Sequence, residues 1–153
     1  MADSSPTSAG FDRRKFIHTA AGASAALTTF AGAARGEGVD PDKKLKVGFI
    51  GTGGRGTGAA AQALSADDNI ELYAMADVFE DKIHSSLETL QKNKDLEGKF
   101  NVSDDRKFVG LDSYKRVLDS EVDVVLLTTT PGFRPLHLRA AIEAAKHGFA
   151  EKP

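Results

Sequence analysis

Apolar runs of strand length alternate with segments of helical periodicity from residue 45 to the end of the chain. Val47–Ile50, Ile70–Ala76 and Asp123–Thr129 are mostly apolar or β-branched, which is typical of parallel strands buried on both faces. A short strand is predicted near Lys107–Val109, and another opens at Phe149–Pro153. The sequence therefore predicts five strands, of which the last is cut short.

Helical segments are predicted between these strands. Within Phe79–Leu90, for example, Ile83, Leu87 and Leu90 recur at helical spacing and form one apolar face. The predicted helices are Ala59–Leu64, Phe79–Leu90, Asp112–Asp119 and an amphipathic Pro135–His147, with a polar loop between residues 91 and 106. Regular alternation of strand and helix predicts the α/β class, with an open parallel sheet and helices on both faces.

The first 44 residues have a different composition from the rest of the chain. Arg13 and Arg14 precede Lys15 and two apolar residues, and the weakly apolar stretch Thr19–Ala34 follows. This arrangement resembles a twin-arginine export signal, with a small-residue cleavage site at Ala31–Ala33. We therefore expect a signal peptide at 1–33, a linker at 34–44 and a folded domain at 45–153, with export to the periplasm. The alternative is an exposed basic tail that contains an arginine pair by chance.

Composition narrows the classes of partner. The chain has 153 residues, a formal net charge of −2, 41% hydrophobic residues and no cysteine. The near-neutral charge argues against a nucleic-acid partner recognised through bulk charge. Without cysteine there is no disulfide or thiolate metal site, and no metal site of any other kind is predicted. No stretch is long and apolar enough for stable membrane insertion.

A glycine cluster follows the first strand, in the segment Leu45–Gly56. The pattern is a strand, then Gly-x-Gly-x-x-Gly, then the alanine-rich stretch Ala59–Leu64. This order is the context of a dinucleotide-binding fingerprint. Gly51 permits the tight turn, Gly53 allows a pyrophosphate to approach the backbone, and Gly56 permits close helix packing. The alternative is an ordinary glycine-rich turn between a strand and a helix. The predicted cofactor-binding loop comprises Gly51, Thr52, Gly53, Gly54, Arg55 and Gly56.

Asp77 ends the second strand, about 20 residues beyond Gly56, where a dinucleotide-binding fold places the acid that binds the adenosine ribose. A carboxylate at this position repels a 2′-phosphate, and the next residues Val78, Phe79 and Glu80 supply no arginine to neutralise one. The sequence therefore predicts NAD rather than NADP as the cofactor. The alternative role for Asp77, which is compatible with the first, is to cap the next helix.

Several short motifs resemble the glucose–fructose oxidoreductase / inositol dehydrogenase (Gfo/Idh/MocA) family over residues 45–153. The matching segments, in family order, are Val47–Gly56, Asp77, Val122–Val125, Thr130–Pro131, Phe133–His137, Lys146–His147 and Glu151–Pro153. The resemblance implies a Rossmann domain that binds NAD or NADP, followed in the complete protein by a C-terminal α/β domain. It also implies hydride transfer with a sugar, polyol or related pyranoside, in a complete protein that we expect to be a homo-oligomer.

The resemblance assigns roles to individual residues. Thr130 and Pro131 match the segment that passes beside the cofactor, and Lys152 matches the family lysine near the nicotinamide and the substrate hydroxyl. A lysine at the end of a parallel strand can stabilise charge on a reacting oxygen, although a solvated strand-end lysine is the simpler alternative. His137, near a helix start, is a weaker candidate. Ala145 and Gly148 depart from the residues usual in the family around Lys-His.

Three functions are compatible with these residues. The first is an NAD-dependent sugar or polyol oxidoreductase, and the second is an NAD-dependent glycosidase of the same family, in which the hydride leaves and returns. The third is a nucleotide-binding fragment without catalysis. Because nothing follows Pro153, we expect the Rossmann domain to be truncated before the C-terminal domain, with apolar strand surface and a sheet edge left uncovered.

Overall fold

The computed structural model describes residues 43–152 of the chain. The predicted signal peptide at 1–33, with Arg13 and Arg14, lies outside the described residues. The same is true of most of the linker predicted at 34–44 and of Pro153.

The described residues form one five-stranded parallel sheet in the order β3-β2-β1-β4-β5. The chain moves outward from β1 to β2 and β3, then returns across β1 to β4, so the strand order reverses between β1 and β4. The Rossmann-like α/β class predicted from the sequence is confirmed. The strands are β1 (Leu45–Ile50), β2 (Ile70–Asp77), β3 (Lys107–Val109), β4 (Val124–Leu127) and β5 (His147–Ala150).

Four α-helices connect the strands. They are α1 (Gly54–Ser65), α2 (Glu80–Gln91), α3 (Ser113–Asp119) and α4 (Arg134–Glu143). Two short 3₁₀ turns, Lys94–Leu96 and Asp104–Arg106, lie in the segment between α2 and β3 that the sequence predicts as a loop.

Each face of the sheet has its own apolar core. Alternate strand residues face opposite sides, so Phe49 packs with α1 and α2, whereas its neighbour Ile50 packs with α3 and α4. Gly48 allows α3 to approach the sheet, because a Cβ there would lie 2.6 Å from Cγ1 of Val117. The sheet is therefore covered on both faces, as the continuous apolar strands predict.

The predicted boundary between α4 and β5 is wrong. The sequence suggests a helix to His147 and a strand from Phe149, but α4 ends at Glu143 and β5 begins at His147. The Ala145 N–H donates to the Ile142 carbonyl and the Lys146 N–H to the Ala141 carbonyl, over 3.0 Å each. These bonds form a Schellman motif, in which Ala145 adopts a φ of +52°. The sequence places alanine where glycine usually ends such a helix, so it contains no clear stop signal.

The surface around α4 and β5 is more apolar than that of the other elements. The amphipathic pattern predicted for α4 is wrong, because the helix buries only His137 and Ala141 while Leu136 and Ile142 are exposed. All four residues of β5 are exposed, and Phe149 borders an apolar groove of about 410 Å³ between α1 and the sheet. The expected uncovered strand surface is confirmed for β5.

Within residues 43–152, no helix has the length and apolar character needed to cross a membrane.

Candidate dinucleotide-binding and catalytic site

The glycine loop, residues 51–56, connects β1 to α1 at the carboxyl edge of the sheet. Gly51 has a φ of +92°, and a Cβ there would lie 2.6 Å from the backbone nitrogen of Thr129. A Cβ at Gly56 would overlap the carbonyl oxygen of Gly51. Both glycines are therefore required by the fold itself, because any larger residue would push the loop away from β4 or from its own first turn.

Gly53 differs from these two glycines. Its φ of −67° and ψ of 176° are extended values that any residue adopts, and a Cβ there would meet no atom within 4 Å. Neither backbone conformation nor packing explains a glycine at this position. The open space above Gly53 is available to a ligand that must approach the backbone closely.

The first turn of α1 has neither a side-chain cap nor an acidic residue of its own. Gly53 is the N-cap and supplies no side-chain hydrogen bond, and no acidic residue lies in the first turn. The partial positive charge of the helix start therefore faces the space above the glycine loop, and no carboxylate of the first turn itself neutralises it. An anionic group is the ligand that this arrangement favours.

Asp77 lies at the end of β2, next to the glycine loop. Its Oδ2 accepts hydrogen bonds from the Thr52 N–H (2.6 Å) and the Thr52 hydroxyl (3.1 Å), and its Oδ1 accepts one from the Phe79 N–H (3.1 Å). Thr52 is 2% exposed, so its side chain anchors Asp77 from beneath the loop and does not enter the cleft. Asp77 thus supports the turn that precedes α2, but the N-cap of α2 is Phe79, so the alternative N-cap role considered for Asp77 is wrong.

A cleft of about 310 Å³ brings part of the predicted site together. Its walls come from the ends of β1, β2 and β4, and from the starts of α2 and α4. The lining residues are Gly51, Gly53, Asp77, Val78, Phe79, Lys82, Thr128, Thr129, Thr130 and Phe133.

The other predicted residues lie outside this cleft. Thr52 and Gly56 are buried in the loop, whereas Gly54, Arg55, Pro131 and Lys152 are exposed around its margin. Lys152 follows β5, with its backbone N–H donating to Oε1 of Glu151 over 3.1 Å. The strand order therefore places β1 and β4 between Asp77 and Lys152, while the cleft itself extends from Asp77 to the end of β4.

Thr128, which follows β4, is a residue that the sequence analysis missed. Its hydroxyl donates to the carbonyls of Gly51 (2.7 Å) and Ile50 (3.0 Å), and so fixes the glycine turn against the end of β4. A threonine that ends an apolar strand beside a glycine loop is a weak signal, because the contact depends on strand order. Lys82 is a second such residue, because it lines the cleft from α2, two positions beyond the residues Val78–Glu80 that were expected to follow Asp77 without an arginine.

Three charged residues link α1, β4 and β5 at the same edge. Nε and Nη2 of Arg55 lie 2.9 and 2.7 Å from Oε2 of Glu151, whose side chain is 9% exposed. Arg134 donates from Nη1 to the Glu151 carbonyl and from Nη2 to the Thr129 carbonyl, each over 2.6 Å. We call Arg55, Arg134 and Glu151 the Glu151 bridge.

The carboxylate of the bridge is held in its charged form. Burial acts to raise the pKa of Glu151. Hydrogen bonds from Arg55 and the Lys152 N–H, together with the charges of Arg55 and Arg134, outweigh burial and lower the pKa below its usual value.

His137 is buried in α4 and contacts two residues that line the cleft, Thr129 and Phe133. Its Nδ1 lies 3.1 Å from the Thr129 hydroxyl, and its ring stacks on Tyr114 with centroids 4.3 Å apart. Burial lowers the pKa of His137, because desolvation favours the neutral ring. These contacts give His137 a packing role. Among residues 43–152, no group of three or more potential ligands is arranged for a metal ion.

No family model matches the chain. It is 31% identical over 109 residues to the myo-inositol 2-dehydrogenase of Thermotoga maritima, an alignment that covers 71% of this chain and 28% of the relative. It is 30% identical over 115 residues to a glycosyl hydrolase family 109 protein of Solibacter usitatus, with coverage of 74% and 25%. The chain therefore spans about a quarter of the length of these curated relatives.

Two solved structures share the fold. An NAD-binding oxidoreductase from Klebsiella pneumoniae superposes with a TM-score of 0.52 at 27% identity, covering 72% of this chain and 27% of that one. The apo scyllo-inositol dehydrogenase of Lactobacillus casei superposes with a TM-score of 0.52 at 21% identity, covering 73% and 29%. The described part of the chain is thus a Rossmann-like α/β fold, similar in sequence to part of an inositol dehydrogenase and of a family 109 glycosyl hydrolase.

Proposed function

We propose that the chain is the dinucleotide-binding part of an NAD-dependent oxidoreductase of the Gfo/Idh/MocA family, acting by hydride transfer on a sugar, polyol or related pyranoside. Gly53 is the observation that carries the proposal, because the fold does not require a glycine there and a bound pyrophosphate does. The similarity to the two curated relatives supports the family assignment.

The chain's own residues suit a dinucleotide at the reversal of strand order, where open α/β sheets bind ligands. Backbone N–H groups at the start of α1 would hold the pyrophosphate above Gly53. Asp77, at the end of β2, would accept a hydrogen bond from the adenosine ribose, with Val78 and Phe79 as apolar neighbours. The other half of the dinucleotide would then extend toward the ends of β4 and β5.

Lys152 is the proposed catalytic residue on that side. The bound nicotinamide would supply hydride transfer, while the Lys152 ammonium would donate a hydrogen bond to the reacting substrate oxygen and stabilise its negative charge. In the longer protein, Lys152→Ala should lower kcat by about 100-fold with little change in NAD affinity, as expected for general acid–base catalysis. Unchanged kcat would leave Lys152 as a solvated strand-end lysine.

NAD is the proposed cofactor rather than NADP, because the Asp77 carboxylate would repel a 2′-phosphate. Isothermal titration of the full chain with NAD, NADP and ADP tests both parts of the proposal. We expect NAD to bind more tightly than NADP, and ADP to bind through its adenosine and diphosphate groups without contacts on the nicotinamide side. Tighter binding of NADP would contradict the cofactor assignment, and absence of binding by all three would contradict the dinucleotide site.

A glycosidase is the second candidate, favoured by the 30% identity to the family 109 glycosyl hydrolase. In that reaction the hydride returns to the substrate, so there is no net change in the cofactor. Incubating the longer protein with sugars and with nitrophenyl glycosides separates the two. NADH accumulation supports the oxidoreductase, whereas release of nitrophenol without NADH supports the glycosidase.

Export by the twin-arginine route is proposed for the N-terminal segment, on the sequence of residues 12–33 alone. This route carries folded proteins, so a cofactor bound in the cytoplasm would reach the periplasm with the protein. Replacing Arg13 and Arg14 by lysine should retain the protein in the cytoplasm, as measured by cell fractionation. Equal distribution of the two versions would contradict the proposal.

A further inference from the structure

The Glu151 bridge lies on the opposite side of the glycine loop from Asp77. Asp77 ends β2, whereas Glu151 follows β5, and the strand order places β1 and β4 between them. If the adenosine half of the cofactor lies at Asp77, as the proposed function requires, the nicotinamide half lies on the side of the bridge. The bridge is therefore adjacent to that half of the ligand and remote from the other.

Glu151 is unusual among the paired carboxylates of residues 43–152. The carboxylates of the other ion pairs have side-chain exposures of 73% or more, whereas that of Glu151 is 9%. A shielded carboxylate is costly unless charged or hydrogen-bonding partners compensate it. Arg55 supplies that compensation from a position 96 residues earlier in the chain.

The same residue fixes the backbone that carries Lys152. Oε1 of Glu151 accepts the Lys152 N–H, its carbonyl accepts from Arg134, and its own N–H donates to the Leu127 carbonyl over 3.1 Å. The segment after β5 is thereby tied to β4, to α4 and, through Arg55, to the first turn of α1. A shift of Glu151 would move Lys152 relative to the glycine loop.

We infer that Glu151 is a positioning residue, which acts through Arg55 to hold the Lys152 segment at a fixed distance from the glycine loop and so completes the nicotinamide side of the site. This inference rests on the proposed function. It predicts that the bridge affects ligands that reach the nicotinamide side and leaves the adenosine side unchanged.

A double-mutant cycle on the full chain tests this coupling, with NAD and ADP as probes. Glu151→Gln and Arg55→Ala should each weaken NAD binding by about fivefold or more, the range typical of coupling between groups in contact, while ADP binding changes less than twofold. The double variant should bind NAD about as weakly as either single variant. Glu121→Gln is the matched control, because Glu121 forms an ion pair of 2.6 Å with Lys46 at the amino edge of the sheet. It should leave both affinities unchanged.

A merely structural role would lower the melting temperature and weaken NAD and ADP equally, and that result would overturn the inference. Unchanged NAD affinity in both single variants, or additive losses in the double variant, would overturn it as well. If Glu151→Gln does not fold, Arg55→Gln is measured in its place. The Arg55 side chain is 64% exposed, so its replacement should not prevent folding. A wild-type chain that binds neither ligand contradicts the proposed function itself, and the inference with it.

Discussion

Thr52 and Asp77 are joined by two hydrogen bonds to one carboxylate oxygen, from the Thr52 N–H over 2.6 Å and from its hydroxyl over 3.1 Å. Phe79 donates its N–H to the other oxygen. A carboxylate has about four lone-pair positions, so these donors leave about one for a ribose hydroxyl. Asp77 therefore fixes the conformation of the glycine loop and, in the proposed function, also accepts a hydrogen bond from the ribose of the cofactor.

Replacing Asp77 separates these two roles. Asp77→Ala should destabilise the fold by about 1–3 kcal/mol, because it leaves the buried Thr52 N–H without its acceptor. Asp77→Asn keeps an acceptor oxygen and removes the charge, so it should narrow the affinity gap between NAD and NADP with a smaller loss of stability. Calorimetric titration and thermal unfolding of both variants measure the two effects. An unchanged gap in Asp77→Asn would contradict the cofactor-selecting role.

Lys82 is expected to limit the preference for NAD. It lines the same cleft as Asp77, and its Nζ lies 3.9 Å from Asp81, a separation too long for a strong ion pair. Because a charged hydrogen bond to a 2′-phosphate is worth about 1.5–3 kcal/mol, Lys82→Ala should weaken NADP binding by about tenfold and leave NAD binding unchanged. Lys92→Ala, beyond the end of α2, is the control. Equal losses of affinity for NAD and NADP would contradict a contact between Lys82 and the 2′-phosphate of NADP.

Ala145 is expected to be a site of stabilisation. Its φ of +52° is unfavourable for alanine and free of strain for glycine, so Ala145→Gly should raise the free energy of unfolding by about 0.5–1 kcal/mol. The melting temperature should rise by about 3–6 °C. Ala144→Gly is the matched control, because Ala144 has a φ of −80° and should gain nothing. A lower melting temperature for Ala145→Gly would contradict the left-handed conformation.

His137 should make stability depend on pH. Its pKa is lowered in the folded state, so the unfolded chain binds the proton more readily as the pH falls below about 6.5. The free energy of unfolding should therefore decrease between pH 7 and 5.5. His137→Phe keeps a ring against Tyr114 and removes the titrating group, so its decrease should be smaller when measured by chemical denaturation at each pH. Parallel curves for the two proteins would contradict this prediction.

The local sequence pattern predicts much of the fold, because strands that are buried on both faces of the sheet consist of continuous apolar residues. The strands β1, β2 and β4 appear as apolar runs, and Asp77 appears at the position where β2 must end. The end of α4 could not be predicted, since the signal is a backbone conformation that alanine adopts only rarely. The Arg55–Glu151 contact could not be predicted either, because it depends on the placement of β5 beside β4.

Gly53 tests directly whether the glycine loop binds a dinucleotide that closely approaches its backbone. Valine can adopt the extended conformation of Gly53 and would meet open space, so Gly53→Val should still fold, with the small loss of stability expected of an apolar residue at an N-cap. Gly58→Ala, also facing open space but within α1, is the control and should bind NAD normally. We predict that calorimetric titration of Gly53→Val with NAD shows a loss of affinity of about 100-fold or more, as expected when a side chain displaces the pyrophosphate from the backbone. Wild-type affinity in Gly53→Val would contradict the claim.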